Sequence, residues 1–175
     1  MPIPLSCRGC DFPTPFRCRR AESAGRRDVG IILDCLAHVV TETAAETVAL
    51  GARLARELRG VVLLIGDLGA GKTTLVKGIA QGLGAAREEE VSSPTFTLIH
   101  EYGDPVRVYH IDLYRLETER EVESLGLEEL WGKDRLVLIE WGERFPRLMP
   151  LPRTEITITA QEDDSRIIEW RERTE

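Results

Sequence analysis

The chain has 175 residues, 42% of them apolar and 30% charged, with a formal net charge of −7. That length and composition suit one globular domain with a full core, while the acidic balance argues against an independent nucleic-acid surface, which needs clustered Lys and Arg. No segment approaches the apolar length of a membrane span, and Pro2, Pro4, Arg8 and Asp11 leave no secretory apolar region; the expected compartment is the cytoplasm, with neither membrane nor DNA as a partner.

In chain order, residues 1–38 read as a largely disordered extension, with Pro2, Pro4, Pro13, Pro15 and the basic Arg17-Cys18-Arg19-Arg20 and no periodicity before Val29. Its Cys7-x-x-Cys10 is half a zinc pattern without a second pair; with Cys18 and Cys35 it reads as reduced thiols. Residues 39–175 read as a single domain. Thr43-x-x-Glu46 is a capping box opening a helix with Leu50, Leu54 and Leu58 on one face and Gly60 as its stop. Val61–Ile65 is a continuous apolar run suited to a buried parallel strand. A helix over 74–83 follows, carrying Leu75, Ile79 and Leu83, with Gly84 beyond it. Arg87–Glu90 is expected to be a solvated loop. Phe96–Tyr102 and Val106–Ile111 alternate about Gly103-Asp104-Pro105 and predict an antiparallel hairpin. Thr118-x-x-Glu121 caps a short helix ending at Gly126. Leu136–Ile139 is the second buried run, and Ile156/Ile158 with Ile167/Ile168 form a last hairpin around Glu162–Ser165. Together these elements predict an α/β fold, a sheet of mixed strand direction flanked by helices.

Between the first buried run and its helix, Gly66-Asp67-Leu68-Gly69-Ala70-Gly71-Lys72-Thr73 fits G-x-x-x-x-G-K-[ST] at every fixed position. Glycines let the backbone curl so that successive N–H groups, from Gly69, Ala70 and Gly71 through Lys72, Thr73 and Thr74, face a polyphosphate. Lys72 then reaches the β/γ oxygens and the Thr73 hydroxyl ligates Mg²⁺, next to the positive end of the helix. Strand, glycine loop and helix make the expected sheet P-loop NTPase-like. Phosphoryl transfer further needs a carboxylate at the end of a buried strand. Glu140 stands there after four apolar residues, where an Asp is more usual. Asp112, after the Val106–Ile111 strand, is a second candidate that would orient the attacking water or join the metal shell; a turn role is the alternative. His110 reads as a hairpin histidine, and Arg115 as a phosphate bridge or a surface ion pair. Ser93-Pro94-Thr95 is placed like a switch that senses the γ-phosphate, or is an ordinary turn.

Gly-Asp-Leu-Gly-Ala-Gly-Lys-Thr-Thr (66–74), Ser-Pro-Thr-Phe-Thr-Leu (93–98), His-Ile-Asp-Leu-Tyr-Arg-Leu (110–116) and Ile-Glu-Trp (139–141) resemble the TsaE family, also called YjeE, over about Val39 to Trp170. The resemblance implies an ATPase of the tRNA threonylcarbamoyladenosine pathway that supports a transferase made of TsaD and TsaB, and so reaches tRNA indirectly. It implies ATP and Mg²⁺ as cofactors, phosphate binding by Lys72, metal ligation by Thr73 and Glu140, and catalysis by Asp112 with Lys72. It also places Thr43 near the adenine and Trp141 near the nucleotide. Among other classes, a small-molecule P-loop kinase fits the length and loop but would need an Arg-bearing lid and an acceptor site. A GTPase would need an [NT]-K-x-D motif, for which Lys133-Asp134 has the wrong context.

Overall fold

A computed structural model describes residues 37–132 and 135–175. The four cysteines, the expected extension up to residue 36, and Lys133-Asp134 lie outside the described residues.

Seven strands form one sheet: β1 (Ala37–Thr41), β2 (Gly60–Ile65), β3 (Ile99–Tyr102), β4 (Val108–Asp112), β5 (Leu136–Glu140), β6 (Arg153–Ala160) and β7 (Arg166–Arg173), in the spatial order β1-β7-β6-β2-β5-β4-β3. The four central strands β6, β2, β5 and β4 run parallel, and β1, β7 and β3 are antiparallel to their neighbours. The mixed sheet expected from two continuous apolar runs and two hairpins is therefore present. Parallel pairing hides both faces of β2 and β5, which explains their unbroken Val, Leu and Ile.

Among the described residues three helices flank the sheet: α1 (Ala44–Leu54), α2 (Lys72–Gly82) and the short α3 (Glu119–Glu123). Alternate residues of the strands feed two cores. Val62, Leu64, Leu138, Ile156 and Ile168 meet Leu50 and Leu54 of α1 and Leu75 and Ile79 of α2. Val61, Leu63, Val137, Ile139 and Ile111 meet Val122, Leu127, Phe145 and Met149 on the other face. Beyond that second core, Glu155 of β6 accepts paired hydrogen bonds from Arg153 and Arg171. Burial alone would raise the Glu155 carboxyl, but the two guanidinium groups carry it below the ordinary carboxylate range.

α1 and α2 approach closely because glycines line the seam. A Cβ on Gly78 would fall 2.0 Å from the Val48 carbonyl oxygen, and one on Gly51 2.4 Å from that of Leu75.

Several expectations are corrected. α1 ends at Leu54 and a turn carries the chain to Leu58, so Gly60, at φ +65°, opens β2 instead of stopping the helix. The Glu46 carboxylate reaches the Glu42 N–H and not that of Thr43, so only half of the expected capping box forms; Thr118 and Glu121 make theirs in full. The strand expected from Phe96 begins only at Ile99, since Phe96 lies in a turn with 84% of its surface exposed. Residues 87–90 are exposed, as expected of a solvated segment, but Glu88–Glu90 form a 3₁₀ turn held by paired Arg87–Glu90 hydrogen bonds. Edge strand β1, pairing only with β7, was not predicted.

The seam is testable. Gly78→Ala should cost about 3 kcal/mol in urea unfolding, because neither facing backbone can retreat. Gly84→Ala should cost about 1 kcal/mol, because φ is +63° but nothing lies within 4 Å. Equal costs would show that α1 and α2 can separate freely.

Candidate nucleotide site

Register builds the site. β4 and β5 pair Asp112 with Glu140, and β5 and β2 pair Glu140 with Leu64. The two carboxylates thus stand side by side where the parallel strands end, and the glycine loop leaves β2 at the same edge, where ligands bind in open α/β sheets. Both are buried, as are Lys72 and His110. A cavity of about 350 Å³ opens there, lined by Gly69, Gly71, Lys72, Thr73 and Thr74 of the loop, by Ser93, Thr95, Asp112 and Glu140, and by Tyr114 and Trp141.

The loop has the backbone an anion cradle requires. Gly66, Gly69 and Gly71 take φ of +154°, +81° and +112°. A Cβ on Gly69 would meet nothing within 4 Å, so the space over the loop is open. Helix capping marks the same spot. α1 and α3 begin with Thr43 and Thr118 as caps and carry Glu in the first turn, whereas α2 begins at Gly71 with no side-chain cap and no acidic residue. The first N–H groups of α2 are thus free for a ligand of negative charge.

Lys72 Nζ donates to the carbonyl oxygens of Gly66 at 2.6 Å and Asp67 at 2.9 Å, and sits 4.3 Å from the centre of the Trp141 ring. An ammonium has three donors, so one remains. Thr73 Oγ1 donates to Glu140 Oε1 at 2.9 Å across 67 residues of sequence. Asp112 is held from both sides: Ser93 Oγ and Thr95 Oγ1 donate to Oδ2 at 2.9 and 2.6 Å, and the Tyr114 N–H donates to Oδ1 at 2.9 Å. Trp141 turns the chain out of β5 in the left-handed region at φ +66° and stacks at 5.0 Å on Tyr114.

The residues fit a cation brought by its phosphates. Among the described residues there is no group of three or more His, Cys, Asp or Glu able to hold a metal ion. One carboxylate with one hydroxyl is instead what Mg²⁺ uses when substrate phosphates complete its shell. The hydroxyl can give its proton to Glu140 and keep lone pairs for the ion.

The expected residues are thus brought together, with two exceptions. Ala70 is buried, does not line the cavity and spends its N–H on the Asp67 carbonyl at 3.1 Å. Thr43 does not line the cavity either, and its hydroxyl accepts the Glu46 N–H. It follows β1, whose Thr41 pairs with Arg166 of β7, and Arg166 Nε lies 3.8 Å from where a Gly71 Cβ would be. Arg115, left open between phosphate and surface roles, stacks at 4.9 Å on exposed Phe96.

Three further residues were not singled out from sequence, or were misread. His110, read as a hairpin histidine, is fully buried with Nε2 2.9 Å from Glu140 Oε1. Arg166 flanks the loop from β7. Glu143, in the turn after Trp141, has Oε2 buried with no hydrogen-bond partner. Burial holds its carboxyl above the ordinary range; the nearby charge of Glu140 adds to this, while its own backbone N–H, Lys72 and Arg144 oppose it. No periodicity in the sequence singles out Glu143, which follows Glu140 by three residues in a turn.

The sheet order, the glycine loop and the convergent carboxylates define a P-loop-type α/β protein. A family model described as "Threonylcarbamoyl adenosine biosynthesis protein TsaE" matches residues 41–174, and the chain belongs to that family. It is 48% identical over 109 residues to the tRNA threonylcarbamoyladenosine biosynthesis protein TsaE of Bacillus subtilis (strain 168), covering 62% of this chain and 66% of that one. Its identity to the protein of the same name from Nostoc sp. (strain PCC 7120) is 42% over 141 residues, 77% of this chain and 85% of the relative. Among solved structures, Bacillus subtilis YdiB superposes with a TM-score of 0.62 at 35% identity, covering 77% of this chain and 84% of that one.

Glu143 gives a pH prediction. A raised carboxyl holds its proton in the folded chain to higher pH than in the unfolded one. Its favourable contribution is complete below the ordinary value of 4.5 and is lost as pH rises through the folded value. Glu143→Gln should therefore have the higher thermal midpoint at pH 7, with the gap closing as pH falls to 4. A gap that widens on acidification would contradict the assignment.

Proposed function

We propose that this protein binds ATP with Mg²⁺ at the glycine loop and hydrolyses it in the cytoplasm. That turnover supports threonylcarbamoyl transfer to the adenosine beside the anticodon of tRNA, through a complex with TsaD and TsaB. The observation that carries the ATPase reading is the Thr73–Glu140 hydrogen bond beneath an uncapped helix start. Family membership carries the pathway.

Each side chain then has a task. The loop N–H groups and the free donor of Lys72 bind the phosphates, and Trp141 keeps the Lys72 ammonium over its ring face. Thr73 and Glu140 hold the cation. A Mg²⁺ ion held by these two residues would supply charge neutralisation at the phosphates. Asp112 orients the attacking water. Its Oδ2 is taken by Ser93 and Thr95 in this structure, so reaching a water means exchanging one of those bonds. The 93–95 loop therefore moves with the nucleotide state, and that loop docks on the partner complex. Thr43 is the residue the family resemblance would put near the adenine, and Arg166 flanks the glycine loop.

A small-molecule kinase is the second reading, because a groove lined by Tyr114, Arg115, Glu117, Trp141 and Arg144 adjoins the cleft. Its arginines are engaged, Arg144 on the Tyr114 carbonyl at 2.7 Å and Arg115 on Phe96. That leaves no open Arg-bearing lid among the described residues of this groove.

Calorimetric titration and phosphate release test the assignment. Lys72→Ala and Thr73→Ala should abolish Mg·ATP binding or lower turnover at least about 100-fold. Glu140→Ala should weaken Mg²⁺ dependence, and Asp112→Ala should retain ATP while turnover falls about 10²- to 10⁴-fold. Near-wild-type affinity and rate in the first two variants would refute the site.

Partner use is tested separately. The isolated protein should bind tRNA weakly in gel shifts, given its charge of −7. Its capture by TsaD–TsaB should depend on ATP against ADP. Tight tRNA binding alone, or capture indifferent to nucleotide, would overturn this part.

A further inference from the structure

His110 has more to explain than a place in the sheet. It stands on the α2-facing side of β4, between Val108 and Asp112, fully buried, with Leu138 and His100 as its strand neighbours. Its Nδ1 is buried and has no hydrogen-bond partner among the described residues. A leucine or phenylalanine would fill such a position without leaving a polar atom unsatisfied, which costs about 1–3 kcal/mol. Something must offset that cost, and the one hydrogen bond the ring makes is Nε2 to Glu140 Oε1 at 2.9 Å.

A carboxylate oxygen only accepts, so the ring proton of this bond sits on Nε2. Glu140 Oε1 then receives two donors, His110 and Thr73, from β4 and α2. Oε2 takes part in neither bond. The last torsion of a glutamate is broad and roughly two-fold, so one donor leaves the carboxylate plane free to swing, and two donors from separate elements fix it. Behind the ring stands Tyr102, at 6.5 Å between centres, whose hydroxyl meets His100 Nδ1 at 3.2 Å and the Ser92 carbonyl at 3.4 Å. The imidazole is thus backed by a side chain tied to the start of the 93–95 loop.

We infer that His110 is a positioning residue for the cation site: by donating Nε2–H to Glu140 Oε1 it fixes the carboxylate plane with which Glu140, beside Thr73, would hold a divalent ion. The inference rests on the proposed Mg²⁺ role of Glu140 and Thr73. Partners of this kind typically set metal affinity by about 10- to 100-fold.

The test uses the full chain with ADP and Mn²⁺, whose electron paramagnetic resonance signal reports free ion, and compares wild type with His110→Phe, His110→Gln and Glu140→Ala. His110→Phe should weaken Mn²⁺ binding about 10- to 100-fold while metal-free ADP affinity stays within about twofold. His110→Gln, whose amide can donate from nearly the same place, should recover to within about threefold of wild type. A Gln variant as weak as Phe would overturn the inference, because shape and not the donor would then matter. If Glu140→Ala loses Mn²⁺ and His110→Phe does not, the inference fails and the cation site stands. If wild type and Glu140→Ala bind Mn·ADP alike, the cation site itself fails. Should His110→Phe not fold, the ¹⁵N imidazole spectrum of the wild type decides: a proton on Nε2 protected from exchange supports the assignment, and one on Nδ1 or in rapid exchange refutes it.

Discussion

Parallel strands that stop at one edge deliver their last side chains to the same place, and the rest of this molecule is organised by that constraint. β2, β5 and β4 pair in register, so the glycine loop, Glu140 and Asp112 arrive together although they come from positions 66 to 140 of the sequence. Nothing local to any one of them would do this. β2 and β5 are apolar because both faces are covered and turn polar only at their ends, whereas β4 carries His110 within its buried run. The switch from apolar to charged side chain is the boundary between core and chemistry.

Charge at that boundary is balanced by neighbouring groups of the protein. Lys72 is satisfied by two loop carbonyls and a ring face, Glu140 by a hydroxyl and an imidazole, Asp112 by two hydroxyls and an amide. Buried ionic groups persist only when so partnered. The exception is the start of α2, where the side-chain cap and first-turn Glu that the other two helices possess are missing. A helix packed by Leu75, Val76 and Ile79 and locked by Gly78 against α1 does not need a cap to form. Tertiary packing therefore holds open a set of N–H groups that a solitary helix would have to satisfy itself.

How much of this was legible follows from what each signal depends on. The loop pattern, the two apolar runs and the last hairpin are local and strong, and the structure contains them as read. Glu140 and Asp112 were legible because a carboxylate directly after a buried strand is conspicuous. β1 was not, since five residues pairing with a partner some 125 positions later carry no local turn signal. Phe96 was misread because an exposed aromatic in a turn mimics a strand position in an alternation count. His110 was misread for the opposite reason. Its meaning lies in a single cross-strand oxygen, and alternation along β4 shows only that it faces the same side as Val108. Arg166 and Glu143 reach the loop through strand pairing and through a turn, which periodicity does not describe.

The two carboxylates are also coupled to one segment of chain. Ser93 and Thr95 occupy Asp112 directly, and the Ser92 carbonyl receives Tyr102, whose ring backs His110, whose Nε2 holds Glu140. A displacement of residues 92–95 thus alters what Asp112 can accept and loosens the support behind Glu140, while Phe96 and Arg115 move with it at the surface. A phosphate that draws on Ser93 or Thr95 competes with Asp112 for the same hydroxyl protons. The proposed nucleotide cleft and the exposed Phe96 turn thus draw on one set of hydrogen bonds, which is the physical requirement for the proposed coupling between nucleotide and partner.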